Sequence, residues 1–240
     1  MTLLKSKYTY DALDRASVDG KRLYTCPDGS KVPSVTTILD KTKSPEKMAG
    51  LMAWRRSVGE KKAQEIVMEA AARGTRMHKY LEDFCLQGVI KDPGSNPYSK
   101  QSHVMAKTII EQGMCNVNEI WGVEIPLYYP GLYAGTSDCC GLHKNEESIL
   151  DYKQTNKEKK REWIDDYLMQ LCAYSLAHNE VHGTKIRKGV ILMCVSPKMN
   201  EKLAVVEEPK YQEFILEGVE FDKYVNLWWD RVEMYYKLTD

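Results

Sequence analysis

The chain has 240 residues, 43% of them hydrophobic and 28% charged, enough to bury a sizeable core in one large domain. Thirty-four basic residues balance 34 acidic ones, which excludes a bulk positive field for holding a nucleic acid, so any such surface has to be local. No run reaches the roughly 18 apolar residues of a membrane span and no signal-peptide core opens the chain, so a soluble cytoplasmic protein is expected.

Residues 1–33 are rich in Tyr, Thr and Asp, and the turn sequence CPDGS at 26–30 between two β-prone runs predicts a hairpin. Residues 34–115 read as helical. Ser34 is a candidate cap for VTTIL, and Ser44 with Pro45 marks the start of a second helix. Apolar residues recur at helical spacing over 60–87 with an interruption near Arg73 and Gly74, which predicts one or two helices. A polar loop with Pro and Gly follows at 91–99, then a helix over 100–114. Residues 117–206 are β-rich, in GVEIPLYY, LYAGTSDCC, ESILDYKQ and RKGVILMCV, with a helix inserted at 163–178. A C-terminal helix is expected over 208–237, its Trp and Tyr stripe reading as core. The fold class is α/β (α+β): one domain with a central sheet, helices around it and a helical N-terminal elaboration.

The seven cysteines are scattered, with Cys139 and Cys140 the one adjacent pair and no CxxC. They read as reduced, buried thiols, and neither a zinc ribbon nor an iron–sulfur cluster is expected.

The central question lies at GTSDCCGLHKNEESILDYKQ, residues 135–154. If the two runs pair around a turn centred between Lys144 and Asn145, Asp138 stands opposite Asp151, and Lys153 shares a face with Asp151 because the strand period is two. Two carboxylates and an ammonium then converge. Two readings fit: a divalent cation between the carboxylates, or two solvated aspartates with Lys153 as counter-ion. Gln170 and Tyr174, at i and i+4, project from one face of the inserted helix, either as a half-buried pair or toward this site. His78 is a core histidine or a ligand.

Taken in order, GTRMH, GTSD, ILDYK and QLCAY resemble the motifs GTxxH, GxxD, DxK and QxxxY of the RecB-like branch of the PD-(D/E)XK nucleases. VPSVTTIL, LMAWRRSVGE and AAARGTRMH extend the resemblance to the mitochondrial genome maintenance exonucleases and related phage exonucleases. It covers residues 32–195 and implies a restriction-endonuclease-like core with a mixed sheet. It also implies Mg²⁺ or Mn²⁺ held by His78, Asp138, Asp151 and the backbone carbonyl of Tyr152. Lys153 matches the catalytic lysine, and Gln170 and Tyr174 match the pair that supports the site and contacts nucleic acid. Gln154 departs from the Thr or Ser common after that lysine. Glu124 is an auxiliary acidic candidate, with a solvated strand glutamate as its other reading.

The implied activity is hydrolysis of DNA from single-stranded ends, in recombination or repair, in a host cytoplasm if phage-encoded. Its alternatives are a double-strand exonuclease, a structure-specific endonuclease, or a non-catalytic nucleic-acid binding module. Candidate DNA contacts are Ser34 and Thr36, Arg73 with Arg55, Arg56 and Trp54, and the basic run of Lys157, Lys159, Lys160 and Arg161. That run reads equally as a solvated helix start.

Overall fold

The computed structural model describes residues 4–18, 21–200 and 204–239. Near its start, β1 (Asp14–Val18), β2 (Lys21–Thr25) and β3 (Lys31–Pro33) form an antiparallel sheet in that order. The hairpin expected around CPDGS is the β2–β3 pair. Gly29 supplies the left-handed turn residue (φ 83°), and Asp28 Oδ1 accepts from the Ser30 backbone N–H and hydroxyl. β1 is a third strand beyond that hairpin.

Four helices follow. α1 (Val35–Lys41) is capped by Ser34, whose Oγ accepts from Thr37 N–H, and α2 (Pro45–Val58) by Ser44 with Pro45 in its first turn. Gly59, at φ 83°, breaks the chain between α2 and α3 (Glu60–Gln87). α3 runs unbroken for 28 residues, so the interruption expected at Arg73–Gly74 is absent. A glycine in a helix costs only about 1 kcal/mol, and the buried stripe of Ala63, Met77, Leu81 and Cys85 holds both sides of it. α4 (Pro97–Gln112) starts three residues before the expected 100 because Asn96 Oδ1 accepts from Tyr98 and Ser99 N–H and Pro97 takes the first turn.

The central sheet holds β4 (Val117–Tyr129), β5 (Tyr133–His143), β6 (Glu146–Thr155), β7 (Gly189–Val195) and, after a small hairpin of β8 (Lys198–Met199) and β9 (Val205–Glu207), β10 (Lys210–Leu216). Its order is β10-β7-β6-β5-β4. α5 (Asp165–His182) crosses between β6 and β7, which are parallel, while the other neighbours are antiparallel. The chain ends in α6 (Gly218–Lys237). The helix expected over 208–237 is therefore corrected: its first part is β10, paired with β7 from Lys210↔Val195 to Leu216↔Gly189. YQEFIL is short enough to satisfy either period, and Gly218 at φ 60° separates strand from helix.

The sheet has a core on each face. Ile149, Ile191 and Met193 pack with α1, α5 and α6, where Trp228 and Tyr235 are buried as the aromatic stripe predicts. Leu150, Tyr152 and Leu192 pack instead on α3 and α4. Period-two alternation along β6 thus sends Asp151 and Lys153 toward the α5 side. Among the described residues, no helix is long and apolar enough to cross a membrane.

Candidate metal centre and strand groove

β5 and β6 pair from His143↔Glu146 to Cys139↔Leu150, around Lys144 and Asn145, both in the left-handed region (φ 52° and 66°) as a two-residue hairpin turn requires. This is the predicted register. The ladder stops there, one rung before Asp138 would meet Asp151. In place of the next rung, Asp138 Oδ2 accepts from the Tyr152 backbone N–H at 2.6 Å.

His78 reaches the same point from α3, its Nδ1 3.3 Å from Asp138 Oδ1. Glu124 comes from the opposite side. It falls between the pairs Val123↔Cys139 and Ile125↔Ser137, which sets it across from Asp138, with a left-handed φ of 51° that costs a non-glycine residue about 1 kcal/mol or more. One ligand atom from each of His78, Glu124 and Asp138 lies within 4.8 Å of the others. Glu124 is exposed, and its carboxylate lies within reach of the cluster.

Asp151 and Lys153 adjoin this cluster. Lys153 Nζ is 2.5 Å from Asp151 Oδ2, a close ion pair with a buried carboxylate. The ammonium donates to Gln170 Oε1 (3.2 Å), Gln170 Nε2 donates to the Tyr174 hydroxyl (3.2 Å), and the Tyr167 ring lies 5.0 Å from Nζ. Gly135 leaves room for Tyr174, since a Cβ there would stand 2.8 Å from the phenol oxygen. The structure thus brings together His78, Asp138, Asp151, Lys153, Gln170 and Tyr174.

The charges couple strongly. Burial pushes the Asp138 carboxyl up, but His78, Lys153 and the Tyr152 N–H together hold it below the ordinary carboxylate range. Burial wins at Asp151, raised to about 6 against the pull of Lys153. Glu124 is raised to about 7, first by desolvation in the groove and then by the Asp138 charge. Burial lowers both His78 and Lys153, yet the neighbouring carboxylates more than offset it, and both end above their usual values.

A hard divalent cation fits this donor set: the carboxylates of Glu124 and Asp138 and the His78 imidazole, with the buried Asp151 carboxylate, ion-paired to Lys153, beside them. Around it, an open groove of about 580 Å³ runs along Gly74, Thr75, His78 and Lys79 of α3. A cavity of about 220 Å³ continues past Ser34, Thr36, Gly135, Thr136, Gln170 and Tyr174.

No family model matches the chain. Two curated proteins do: Mitochondrial genome maintenance exonuclease 1 of Mus musculus, 25% identical over 175 residues, covering 68% of this chain and 50% of the mouse protein, and that of Xenopus tropicalis, 27% identical over 176 residues, covering 68% and 48%. The chain is similar to exonucleases of this kind. It spans about half the length of the curated relatives it matches. Among solved structures, a phage-related exonuclease from Haemophilus somnus 129PT aligns with a TM-score of 0.39 at 12% identity, over 70% of this chain and 82% of that one.

The expected DNA contacts are disposed unevenly. Ser34 is buried, its hydroxyl tied to Thr36 and Thr37, while Thr36 is exposed at the cavity mouth. Arg73 is corrected: it is buried, and its guanidinium donates to Gln154 Oε1 (2.9 and 2.7 Å) and to Asn156 Oδ1. Gln154 in turn donates to the Ala70 carbonyl, so the residue that departs from the family pattern ties β6 to α3. Arg161 is corrected likewise, bound to Glu220 (2.6 Å) and to the Ile215 carbonyl (2.8 Å). Its partners lie in β10 and α6, the region where the sequence pattern misled.

Lys157 and Lys160 are exposed, Lys160 lying 5.4 Å from the Trp163 ring, and the Lys159 N–H donates to Gln212. Arg55 pairs with Glu60 on the exposed α2–α3 elbow, and Arg56 is exposed there too. Arg15 of β1 lines both the groove and the cavity, and nothing in its sequence surroundings marks it.

Proposed function

We propose that this chain is a nuclease: a metal-dependent DNA exonuclease that hydrolyses phosphodiester bonds from single-stranded ends. The observation that carries this reading is the convergence of His78, Glu124 and Asp138 within 4.8 Å, beside a buried Asp151–Lys153 pair. His78, Asp138, Asp151 and the Tyr152 carbonyl, with Glu124 added from the geometry, would hold Mg²⁺ or Mn²⁺. Such an ion lowers the pKa of bound water and polarises a phosphoryl oxygen.

The protein groups have separable roles. Lys153 lies between Asp151 and Gln170, and the neighbouring carboxylates hold its pKa above the usual value. It would stabilise charge developing on the phosphate oxygens or position the attacking water. Gln170 and Tyr174 fix the position of Lys153, and Tyr174 packs over Gly135 in the wall of the cavity. Thr36 and Thr136 offer hydroxyls to phosphates along the cavity. The small volume of that cavity, about 220 Å³, supports a single strand over a duplex.

The test is release of end label from a single-stranded oligonucleotide, with Mg²⁺, with Mn²⁺ and with chelator, beside blunt duplex and closed circular DNA. Ion-dependent release from the linear single strand, lost in Asp151→Asn, is the expected result. Binding without cleavage under both ions would leave a binding module, and cutting of closed circles would replace the exonuclease with an endonuclease.

A further inference from the structure

We infer that Arg15 is the groove's phosphate clamp, a positioning residue that holds a backbone phosphate of the bound strand beside the metal cluster. The inference rests on the nuclease reading above. Arg15 lines both the groove that contains His78 and the cavity that contains Tyr174, and Glu124 is the other residue common to the two. It therefore stands where the two halves of the passage meet.

Its charge has no partner. Of the other cations lining the two spaces, His78 is committed to Asp138, and Lys79 to Glu82 and Asp83. Arg15 has neither hydrogen bond nor ion pair among the described residues, although Glu124 lines the same walls. Lys153, Arg73 and Arg161 are likewise tied, to Asp151, Gln154 and Glu220. Arg15 is thus the guanidinium in the passage still able to offer its donors in the fork that suits a phosphate.

The position is built, not incidental to a loose segment. Arg15 pairs with Tyr24 across β1 and β2, so both side chains leave the same face of the small sheet. Tyr24 is buried on that face with Cys26, Val32 and Ala134, and it also lines the cavity. Leu13, two residues before Arg15, packs on the same cluster. A bridge between Ser34 and Ala134 then joins the small sheet to β5, one residue from Gly135. The strand that carries Arg15 is registered to the strand that carries Asp138. Once a divalent ion offsets the carboxylates, an unpaired guanidinium at this junction meets the next negative charge to arrive, a phosphodiester.

The experiment compares wild type, Arg15→Ala and Arg15→Lys in two readouts: anisotropy of a labelled single strand without metal over a salt series, and steady-state cleavage with Mn²⁺. For Arg15→Ala, losing one charge-assisted contact predicts roughly 10-fold weaker binding and a rise in KM of that order, with kcat changed far less. The slope of log affinity against log salt should fall by about 0.7. Arg15→Lys should restore the slope while recovering only part of the affinity. Arg15→Ala with wild-type affinity and slope overturns the clamp and leaves the nuclease reading standing. A fall in kcat alone, with affinity unchanged, overturns it too. Wild type that binds but never cleaves overturns the nuclease reading, and the anisotropy arm still decides the clamp.

Discussion

The Tyr152 N–H donates to Asp138 Oδ2 at 2.6 Å, so a carboxylate completes the sheet where β5 and β6 part. Asp138 is thereby both a candidate ligand and a structural acceptor, and two substitutions separate these roles. Asp138→Asn keeps an acceptor for the N–H and removes the charge. Asp138→Ala removes both, leaving a buried N–H unpaired at a cost of about 1–3 kcal/mol. Cleavage should fall at least about 100-fold in both variants, while denaturant unfolding should show the alanine variant the less stable. Equal stabilities would mean that the contact with Tyr152 does not support the strand.

Divalent ion should stabilise the fold measurably. The cluster places like charges together, with Asp138 held ionised and Asp151 raised to about 6, so an ion that binds the folded state relieves this repulsion. An ion at 100 times its Kd adds about 2.7 kcal/mol, which for a chain of this size is a rise in Tm of about 5–10 °C. Thermal melts with and without Mn²⁺ would show it. The rise should vanish in Asp138→Asn and shrink in Asp151→Asn, and a full rise in both would remove the proposed ligands.

Gly135 and Gly50 should respond in opposite directions to alanine. A Cβ at Gly135 meets Tyr174 Cε1 and the phenol oxygen at 2.8 Å, and Tyr174 is buried and hydrogen-bonded to Gln170. Displacing the ring costs about 1–3 kcal/mol and loosens the chain from Tyr174 to Lys153. Gly50 lies in exposed α2 with nothing within 4 Å of its Cβ, so Gly50→Ala should add about 0.5–1 kcal/mol. Gly135→Ala with undiminished cleavage would separate Tyr174 from the chemistry.

Period two and a two-residue turn were enough to set the register of β5 on β6 and to put Lys153 on the face of Asp151, because a slip would invert the buried face, but they did not foresee that the ladder ends before Asp138 meets Asp151. His78 is far from them in sequence and is connected to them there only by family resemblance. Glu124 entered only as an auxiliary candidate from the family pattern, since alternation along β4 does not foresee a left-handed residue there. Basic residues misled for a different reason. A sequence does not distinguish an arginine offered to phosphate from one bound to an amide, as Arg73 is, or to a carboxylate, as Arg161 is. β10 was lost because a seven-residue run next to a long helix satisfies both periods.

Acid should weaken the fold through His178. The ring is fully buried on α5, between the Tyr10 hydroxyl at 3.1 Å and Thr184 Oγ1 at 2.8 Å, with the His182 ring centroid 4.6 Å away. Burial, reinforced by His182 and Lys7, lowers its pKa from 6.5 to about 3. Between those values the unfolded chain binds the proton and the folded chain does not, so stability is complete above about pH 6.5 and falls as pH drops below it. The slope is about 1.4 kcal/mol per pH unit, or about 2 kcal/mol lost by pH 5. His182 is also lowered by burial and contributes in the same direction. Urea unfolding of wild type and His178→Gln at pH 7 and pH 5 isolates the term: the variant starts less stable but should lose about 2 kcal/mol less on acidification. Parallel losses in the two proteins would mean that His178 takes up its proton without unfolding.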